Sequence, residues 1–338
     1  MDCLRLIAEK GFVEFPNIFS DHGIKIPVNE VAFSLFGKYD IRWYGIIISL
    51  GVVLCITLAM LACEKYKITK DDLLDYLIFS IPAAIIGARV YYVAFNFSEY
   101  KNNLSKVFAY WEGGLAVYGG VLAAILAAFI VSKVKKQSIL HILDFSVGYI
   151  ALGQAIGRWG NFFNQEAYGS KTDLPWGMTG NEIAEEIKLL GYKAGTLVHP
   201  TFLYESLWCL IVFIVIMIYR RSKLKQADGE CLCLYMILYG LERVIVEGLR
   251  TDSLYIGNTS IRVSQLLSGI LIVLGITLFI DLRRKHVKQV YEESSEDSGF
   301  GNVVAKISES SESGEIGENG GISGISESSG ISESGEDE

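Results

Sequence analysis

The chain has 338 residues, 51% of them hydrophobic, and a mean hydropathy of +0.35. That is too apolar for an ordinary water-soluble domain and calls for several membrane spans. The net charge of −8 is unevenly placed: residues 291–338 hold 13 Asp/Glu against one lysine, a net of −12, so residues 1–290 carry +4.

Taken in order, residues 1–42 mix charges with short apolar runs and lack the basic start and short apolar core of a cleaved signal peptide. The first span is expected at Tyr44–Cys63, whose 20 residues cover roughly 30 Å of hydrocarbon. Further spans are expected at Leu73–Phe95, Gly114–Val131, Ile139–Ile156, Thr201–Tyr219, Cys231–Leu249 and Ser264–Leu282. The fold class is therefore an all-α polytopic membrane protein of about seven transmembrane helices, each satisfying its own backbone in lipid.

Basic residues cluster after every second span: Lys65, Lys67 and Lys70; Lys133, Lys135 and Lys136; Arg220, Arg221, Lys223 and Lys225; Arg283, Arg284, Lys285 and Lys288. Such clusters mark the cytoplasmic side, which puts the N-terminus outside and the C-terminus inside. Residues 170–198 form the longest outer connection, a small head segment. Within it Asn181–Leu190, closed by Gly191, reads as a short helix with Ile183, Ile187 and Leu190 on one face. From Tyr291 the composition turns to Gly, Ser and Glu, the mark of a disordered acidic tail. Two domains follow, 1–290 in the membrane and 291–338 as the tail. The six cysteines, Cys3, Cys55, Cys63, Cys209, Cys231 and Cys233, form no small-domain disulfide framework and read as small apolar fillers.

Polar residues in or beside the spans are the candidates for chemistry, because charge in hydrocarbon is costly and lines cavities. The densest run is Gly157–Gly169, with Arg158, Asn161, Asn164 and Glu166. Tyr44 opens the first span, Arg89 lies within the second, and Tyr118 stands between Gly113-Gly114 and Gly119-Gly120 in a run that begins at Trp111-Glu112. His199-Pro200 precedes the fifth span, in which a buried Glu205 would need a cationic partner. Tyr239, Arg243, Glu247 and Arg250 recur at spacings of four, four and three, one stripe of one helix. Arg243 and Glu247 could simply pair with each other, which leaves Arg250 over. An excess of guanidinium suits a phosphate, held by bidentate bonds. His22, His141, His199 and His286 are scattered without ligand spacing, so no metal or other cofactor is expected.

The run Gly157-Arg158-Trp159-Gly160-Asn161-Phe162-Phe163-Asn164-Gln165-Glu166-Ala167-Tyr168-Gly169 resembles the signature of the prolipoprotein diacylglyceryl transferases, bacterial membrane enzymes that put the first lipid on lipoproteins. The Trp43-Tyr44-Gly45 opening, Gly87-Ala88-Arg89, the paired glycines around Tyr118, His199-Pro200 with Leu203-Tyr204-Glu205, and the late Arg243–Glu247 stripe follow in the family's order. The resemblance implies transfer of a diacylglyceryl group from phosphatidylglycerol to the thiol of a prolipoprotein lipobox cysteine, forming a thioether and releasing glycerol phosphate. The site would be multi-pass in the bacterial cell membrane, with membrane lipids and prolipoprotein signal peptides as partners and no nucleic acid.

By matching, the residues the family is known for fall on Tyr44, Arg158, Asn161, Glu166, Gly169, Tyr239, Arg243 and Glu247. The expected catalytic set is Arg158, Glu166, Arg243, Glu247, Tyr118 and His199. The expected substrate-binding set is Tyr44, Arg89, Asn161, Asn164, Gly169, Tyr239 and Arg250. Three departures stand out: Tyr118 where the family commonly has histidine, Phe202 for a more usual glutamine, and Ala88 for a glycine. A phenol near pKa 10 is a poor base, so Tyr118 is expected to donate a hydrogen bond while Glu166 or His199 takes the proton. Two rivals are a lipid or anion transporter, which would favour repeated halves that the sequence lacks, and a scaffold that only binds an acidic headgroup.

Overall fold

Alternation, rather than helical spacing, governs the residues before the first span. The computed structural model describes residues 11–297 other than 20–21, 37–38, 102, 110–112, 194, 252–254, 256–258 and 260–261. Val13 and Phe15 point one way from β1 (Gly11–Phe19) and are buried, while Phe12 and Glu14 point the other. β1 pairs antiparallel with β2 (His22–Val28), with Glu14 opposite Lys25 and Lys25 Nζ 3.5 Å over the Phe12 ring. A second hairpin joins β3 (Val31–Leu35) to β4 (Tyr39–Arg42). The all-α expectation is corrected here, because period-two runs this short resemble irregular loop in a sequence dominated by spans.

Long helices follow. α1 is Trp43–Ala62 and α2 is Lys70–Phe95, capped by Thr69, whose hydroxyl accepts from Asp72 N at 3.1 Å. After the single turn α3 (Phe97–Tyr100) come α4 (Val117–Lys135) and α5 (Ile139–Asn164). The outer segment supplies β5 (Thr179–Gly180) and α6 (Asn181–Leu189), before α7 (Thr201–Tyr219), α8 (Glu230–Leu249) and α9 (Val263–Asp297). Among the described residues six helical stretches are long and apolar enough to cross a membrane: Trp43–Tyr66, Lys70–Phe95, Val117–Lys135, Ile139–Asn164, Thr201–Tyr219 and Val263–Val290. α8 forms as expected but falls outside that group because it carries Glu242, Arg243 and Glu247, more charge than any of the six stretches. The protein is a polytopic membrane protein, mostly helical.

Two boundaries differ from the sequence reading. α5 continues to Asn164, eight residues past Ile156, so most of the polar run is the last two turns of a helix. It stops where Gln165 takes a left-handed conformation, φ 52°. α9 runs to Asp297, past the expected start of the tail at Tyr291. Residues 291–297 contain no Gly or Pro to break a helix, and the tail's first glycine is Gly299. Residues 298–338, Trp111-Glu112 and Cys3 lie outside the described residues. Of the other cysteines Cys63, Cys209, Cys231 and Cys233 are buried, Cys55 is half-buried, and all five are free.

Met1–His286 forms one unit and Val287–Glu338 another. In the first, α2 packs on α4 through small residues: Gly87 faces Gly119 and Ala123, and Gly120 faces Ala84 and Ala88. α1 packs on α5, where Gly51 faces Ile156 and Gly160 takes the ring of Tyr44. α5 meets α7 at Gly148, and Ser206 Oγ donates to Ala155 O at 2.8 Å. In the head segment β5 adds to β1, giving the order β2-β1-β5, and Phe12 N donates to Asn181 Oδ1 at 2.7 Å. The head's core joins Val13, Phe15 and Val28 to Met178, Ile183 and Ile187, against Phe162 and Phe202 at the ends of α5 and α7. Ile183 and Ile187 face inward as expected, whereas Leu190, at the helix end, is exposed.

At Gly119 a Cβ would overlap Tyr91 Cβ and Gly87 O, whereas Gly269 has open space around it. Gly119→Ala should cost about 1–3 kcal/mol and lower the thermal midpoint in detergent, while Gly269→Ala leaves it unchanged or higher.

Candidate active site

A carboxylate organises one end of the bundle. Glu205, one turn into α7, is fully buried, and in that medium a charge persists only with partners. It has two. Arg158 Nη1 from α5 lies 2.8 Å from Oε2, and Arg243 Nη1 from α8 donates to Oε1 at 2.5 Å. Arg243 Nη2 in turn donates to Glu247 Oε2 at 2.7 Å, one turn along α8. Arg158–Glu205–Arg243–Glu247 is thus one chain of ion pairs across three helices. The expected pairing of Arg243 with Glu247 is present, and the cation required by Glu205 is supplied twice.

The expected guanidinium excess takes a different form at this point, since two arginines meet two carboxylates. What remains is donor capacity. A guanidinium carries five N–H donors; Arg158 spends one nitrogen on Glu205, and its side chain is 22% exposed. Tyr239, one turn before Arg243, stacks on Tyr235 with ring centroids 5.5 Å apart, and Tyr235 Oη donates to Gln154 Oε1 at 2.9 Å.

The end of α5 builds a second polar group. Asn161 Nδ2 and Asn164 Nδ2 donate to the same oxygen of exposed Glu166, at 2.8 and 3.2 Å. Tyr44 lies against Gly160, its phenol within electrostatic range of both Glu166 and Arg158. Trp43 stacks on Phe163 at 5.3 Å, and Trp159 and Phe162 meet Phe202, so an aromatic collar holds the starts of α1 and α7 to the end of α5.

Gly169 explains how the distant motifs converge. Its N–H donates to His199 O at 2.9 Å, and Ser170 N donates to Leu249 O at 2.6 Å. A Cβ on Gly169 would lie 2.7 Å from His199 Cβ and 3.2 Å from Leu249 O, so only glycine lets the strand pass. Arg250 joins through an isolated bridge to Gly169. Beside it Trp176 Nε1–H donates to Tyr204 Oη at 2.7 Å, and Tyr204 Oη lies 3.2 Å from His199 Nδ1. Indole only donates, so the Tyr204 hydroxyl accepts from it and keeps both a hydrogen and a further lone pair to meet His199 Nδ1.

Arg89 and Tyr118 stand apart, on the α2–α4 pair. Arg89 is buried and its guanidinium is taken up by five backbone carbonyls: Val107 at 2.8 Å, Gly113 at 2.7, Gly114 at 3.0, Lys106 at 2.6 and Ala109 at 3.3. It ties down the connection before α4. Tyr118 is 42% exposed in the first turn of α4, its side chain without a described hydrogen bond. An apolar cavity of about 260 Å³ lies between α1, α2 and α5, reaching up α5 to Gly153, five residues below Arg158.

Sequence reasoning gave Glu205 no role, and left out Trp176, Tyr204 and Glu242. A carboxylate inside an apolar run was the available signal for both glutamates. The bond from Trp176 joins the head to α7 and has no local signature.

The family model for prolipoprotein diacylglyceryl transferase matches residues 30–281. A Finegoldia magna protein named phosphatidylglycerol–prolipoprotein diacylglyceryl transferase is 45% identical over 261 residues, 77% of this chain and 98% of that protein. A Clostridium kluyveri protein of the same name is 47% identical over 260 residues, covering 76% and 97%. One from Listeria monocytogenes is 42% identical over 280 residues, covering 83% and 98%.

Glu205→Ala leaves two buried guanidinium groups short of a partner and should cost about 3–5 kcal/mol, read as a fall in the detergent unfolding midpoint. Burial holds His199 below the ordinary histidine value of 6.5, so its contribution to stability is complete above that pH and is lost as pH falls below it. His199→Gln should therefore flatten the decline of the unfolding midpoint on the acid side of about pH 6.5.

Proposed function

The chain belongs to the prolipoprotein diacylglyceryl transferase family, and from that premise we propose how its own residues carry the reaction. It is a diacylglyceryl transferase of lipoprotein maturation, with phosphatidylglycerol as donor and a prolipoprotein as acceptor. In the finer reading, the sulfur of a lipobox cysteine attacks the glyceryl carbon, the carbon–oxygen bond to phosphate breaks, and glycerol 1-phosphate leaves with the bonding pair. The thiol's proton passes to a base. The product is a thioether, and the nucleophile comes from the substrate as thiolate.

The observation that carries this reading is Arg158, held by Glu205 through one nitrogen with the rest of its donors open at a partly exposed position. Those donors take the phosphodiester and oppose the charge that grows on the departing phosphate. Such preformed donors need no reorganisation during the reaction. Arg243, fixed at both ends by Glu205 and Glu247, adds a stationary positive charge behind it. The two glutamates pin arginines. Glu166, tethered by two amides, manages the proton, while Asn161 and Tyr44 orient the headgroup. His199, held beside Tyr204, is the alternative acceptor for that proton. Tyr118 serves as a hydrogen-bond donor from α4, and Arg89 supports that face by ordering the preceding connection. The apolar cavity between α1, α2 and α5 suits an acyl chain whose headgroup is at Arg158.

Seven spans fit this scheme, with α8 admitted among the other helices because its charges are paired inside the bundle. The alternating basic clusters put the N-terminus and the site on the outer face of the bacterial cell membrane and the acidic tail, residues 291–338, in the cytoplasm. An ion-pair chain of this kind also favours an enzyme over a scaffold, since it fixes the guanidinium plane rather than only supplying charge.

The test is transfer by the purified full-length protein in detergent, from phosphatidylglycerol to a lipobox peptide. Arg158→Ala should reduce transfer at least about 100-fold, with Arg158→Lys also strongly impaired because ammonium lacks the fork. Tyr118→Phe should lower turnover. Near-normal transfer by well-folded Arg158→Ala would remove the arginine from the reaction.

A further inference from the structure

At the opposite end of α5 and α7 from Glu205, a buried arginine meets no carboxylate among the described residues. Arg220, just past α7, is 7% exposed. Its Nη1 donates to Phe145 O at 3.1 Å and its Nη2 to Tyr149 Oη at 3.3 Å, with Met217 Sδ alongside. The rings of Tyr66, Phe145 and Tyr149 surround the guanidinium, the nearest centroid 4.3 Å from Cζ. Such ring faces attract a cation but carry no net charge. Arg220 Nε is buried without a hydrogen-bond partner, and so is the hydroxyl of Tyr66, in the turn after α1.

Arg220 and Tyr66 line one cavity of about 70 Å³, with His141, Asp144 and Phe145 from α5 and Lys225 and Asp228 from the connection between α7 and α8. Both carboxylates are already engaged. Asp144 Oδ1 accepts from Cys231 N and Leu232 N at 2.6 and 3.1 Å, and its Oδ2 lies 3.2 Å from Lys225 Nζ. Asp228 Oδ1 meets the same ammonium at 3.2 Å, and its Oδ2 lies 2.9 Å from His141 Nδ1. His141 Nε2 in turn is 2.8 Å from Tyr66 O. A carbonyl and a carboxylate only accept, so both ring nitrogens carry hydrogen and His141 is an imidazolium. The cavity wall then holds three cations, Arg220, Lys225 and His141, against two carboxylates. Glu230, at the start of α8, does not alter that balance, because Arg283 Nε lies 2.6 Å from its Oε1.

We propose that this cavity is a binding site for a small monovalent anion, held by Arg220 Nε–H and the Tyr66 hydroxyl. A water molecule would satisfy those two groups and leave the excess charge, whereas an anion answers both. Asp144 and Asp228 in the same wall disfavour a second negative charge on the ligand. The anion comes either from free inorganic ions or from the phosphodiester of a lipid in the leaflet at that end. The cavity is roughly 25 Å along α5 from Arg158, so it does not compete for a headgroup there. Once bound, the anion ties the turn after α1 to the end of α7, and its occupancy is read as stability.

The experiment follows the unfolding midpoint of the full-length protein in detergent as sodium chloride replaces sodium gluconate, an anion too large to enter, at constant ionic strength. The midpoint should climb with the logarithm of chloride, by roughly 2–4 °C at about five times the dissociation constant. Arg158→Ala should climb in parallel, Tyr66→Phe should need roughly fivefold more chloride for the same rise, and Arg220→Gln should show none. Tyr66→Phe keeps the ring against Arg220, so it decides the matter even where Arg220→Gln does not fold. Short-chain phosphatidylglycerol in gluconate separates the sources. A rise in Arg158→Ala with the lipid but not with chloride, lost in Arg220→Gln and weakened in Tyr66→Phe, assigns the site to a headgroup. If neither probe gives a rise that depends on Arg220 or Tyr66, the cavity holds water alone and the proposal is overturned.

Discussion

One carboxylate without access to water holds two arginines from different helices, and much of the outer bundle depends on it. Glu205 holds Arg158 through Oε2 and Arg243 through Oε1, one nitrogen of each. Charges that would be prohibitive singly become a rigid unit when α5, α7 and α8 are at the right separation. In the reaction proposed for this site that rigidity matters, since donors that must first turn toward a leaving group give back part of their stabilisation. Gly169 supports the same arrangement from the backbone side, where the absence of a Cβ lets the chain run between His199 and Leu249.

The two glycine-rich parts of the site do different mechanical work. Between α2 and α4 the small residues bring whole backbones together, a contact that dispersion and shape maintain in lipid. At Gly160 the missing side chain is a seat for the ring of Tyr44. Arg89 illustrates the contrast with Arg158: both are arginines in apolar helices, yet one is saturated by carbonyls and the other keeps open donors. Residue type does not separate them. Their surroundings do.

Much of this was legible in the sequence, and the limits have physical causes. Six long apolar stretches, the short head helix and the ion-pair stripe on α8 follow from local composition and period. The need of Glu205 for a cation follows from burial alone, but that it takes two, from α5 and α8, depends on helix packing that no local pattern encodes. The N-terminal strands were missed because β1 owes its sheet partly to Thr179–Gly180, more than 160 residues away. The end of α5 was placed early because polar residues were read as leaving the membrane, whereas Arg158 and Asn161 stay helical and find partners there. Glu242 went unnoticed beside Arg243, where a neighbouring opposite charge suggests pairing; in the fold Arg243 turns to Glu205 and Glu247 instead.

The order in which the ion-pair chain is synthesised carries a consequence for biogenesis. α5 leaves the ribosome with Arg158 and no carboxylate to meet it, α7 then brings Glu205, and α8 follows with Arg243 and Glu247 already side by side. α8 stands apart from the six stretches by its charge, with Glu242, Arg243 and Glu247 in its apolar run. In the seven-span reading α8 brings Arg243 and Glu247 already paired, and Glu205 of α7 is made before it. On that reading a change at Glu205 removes the counter-charge of Arg243 before α8 has been made.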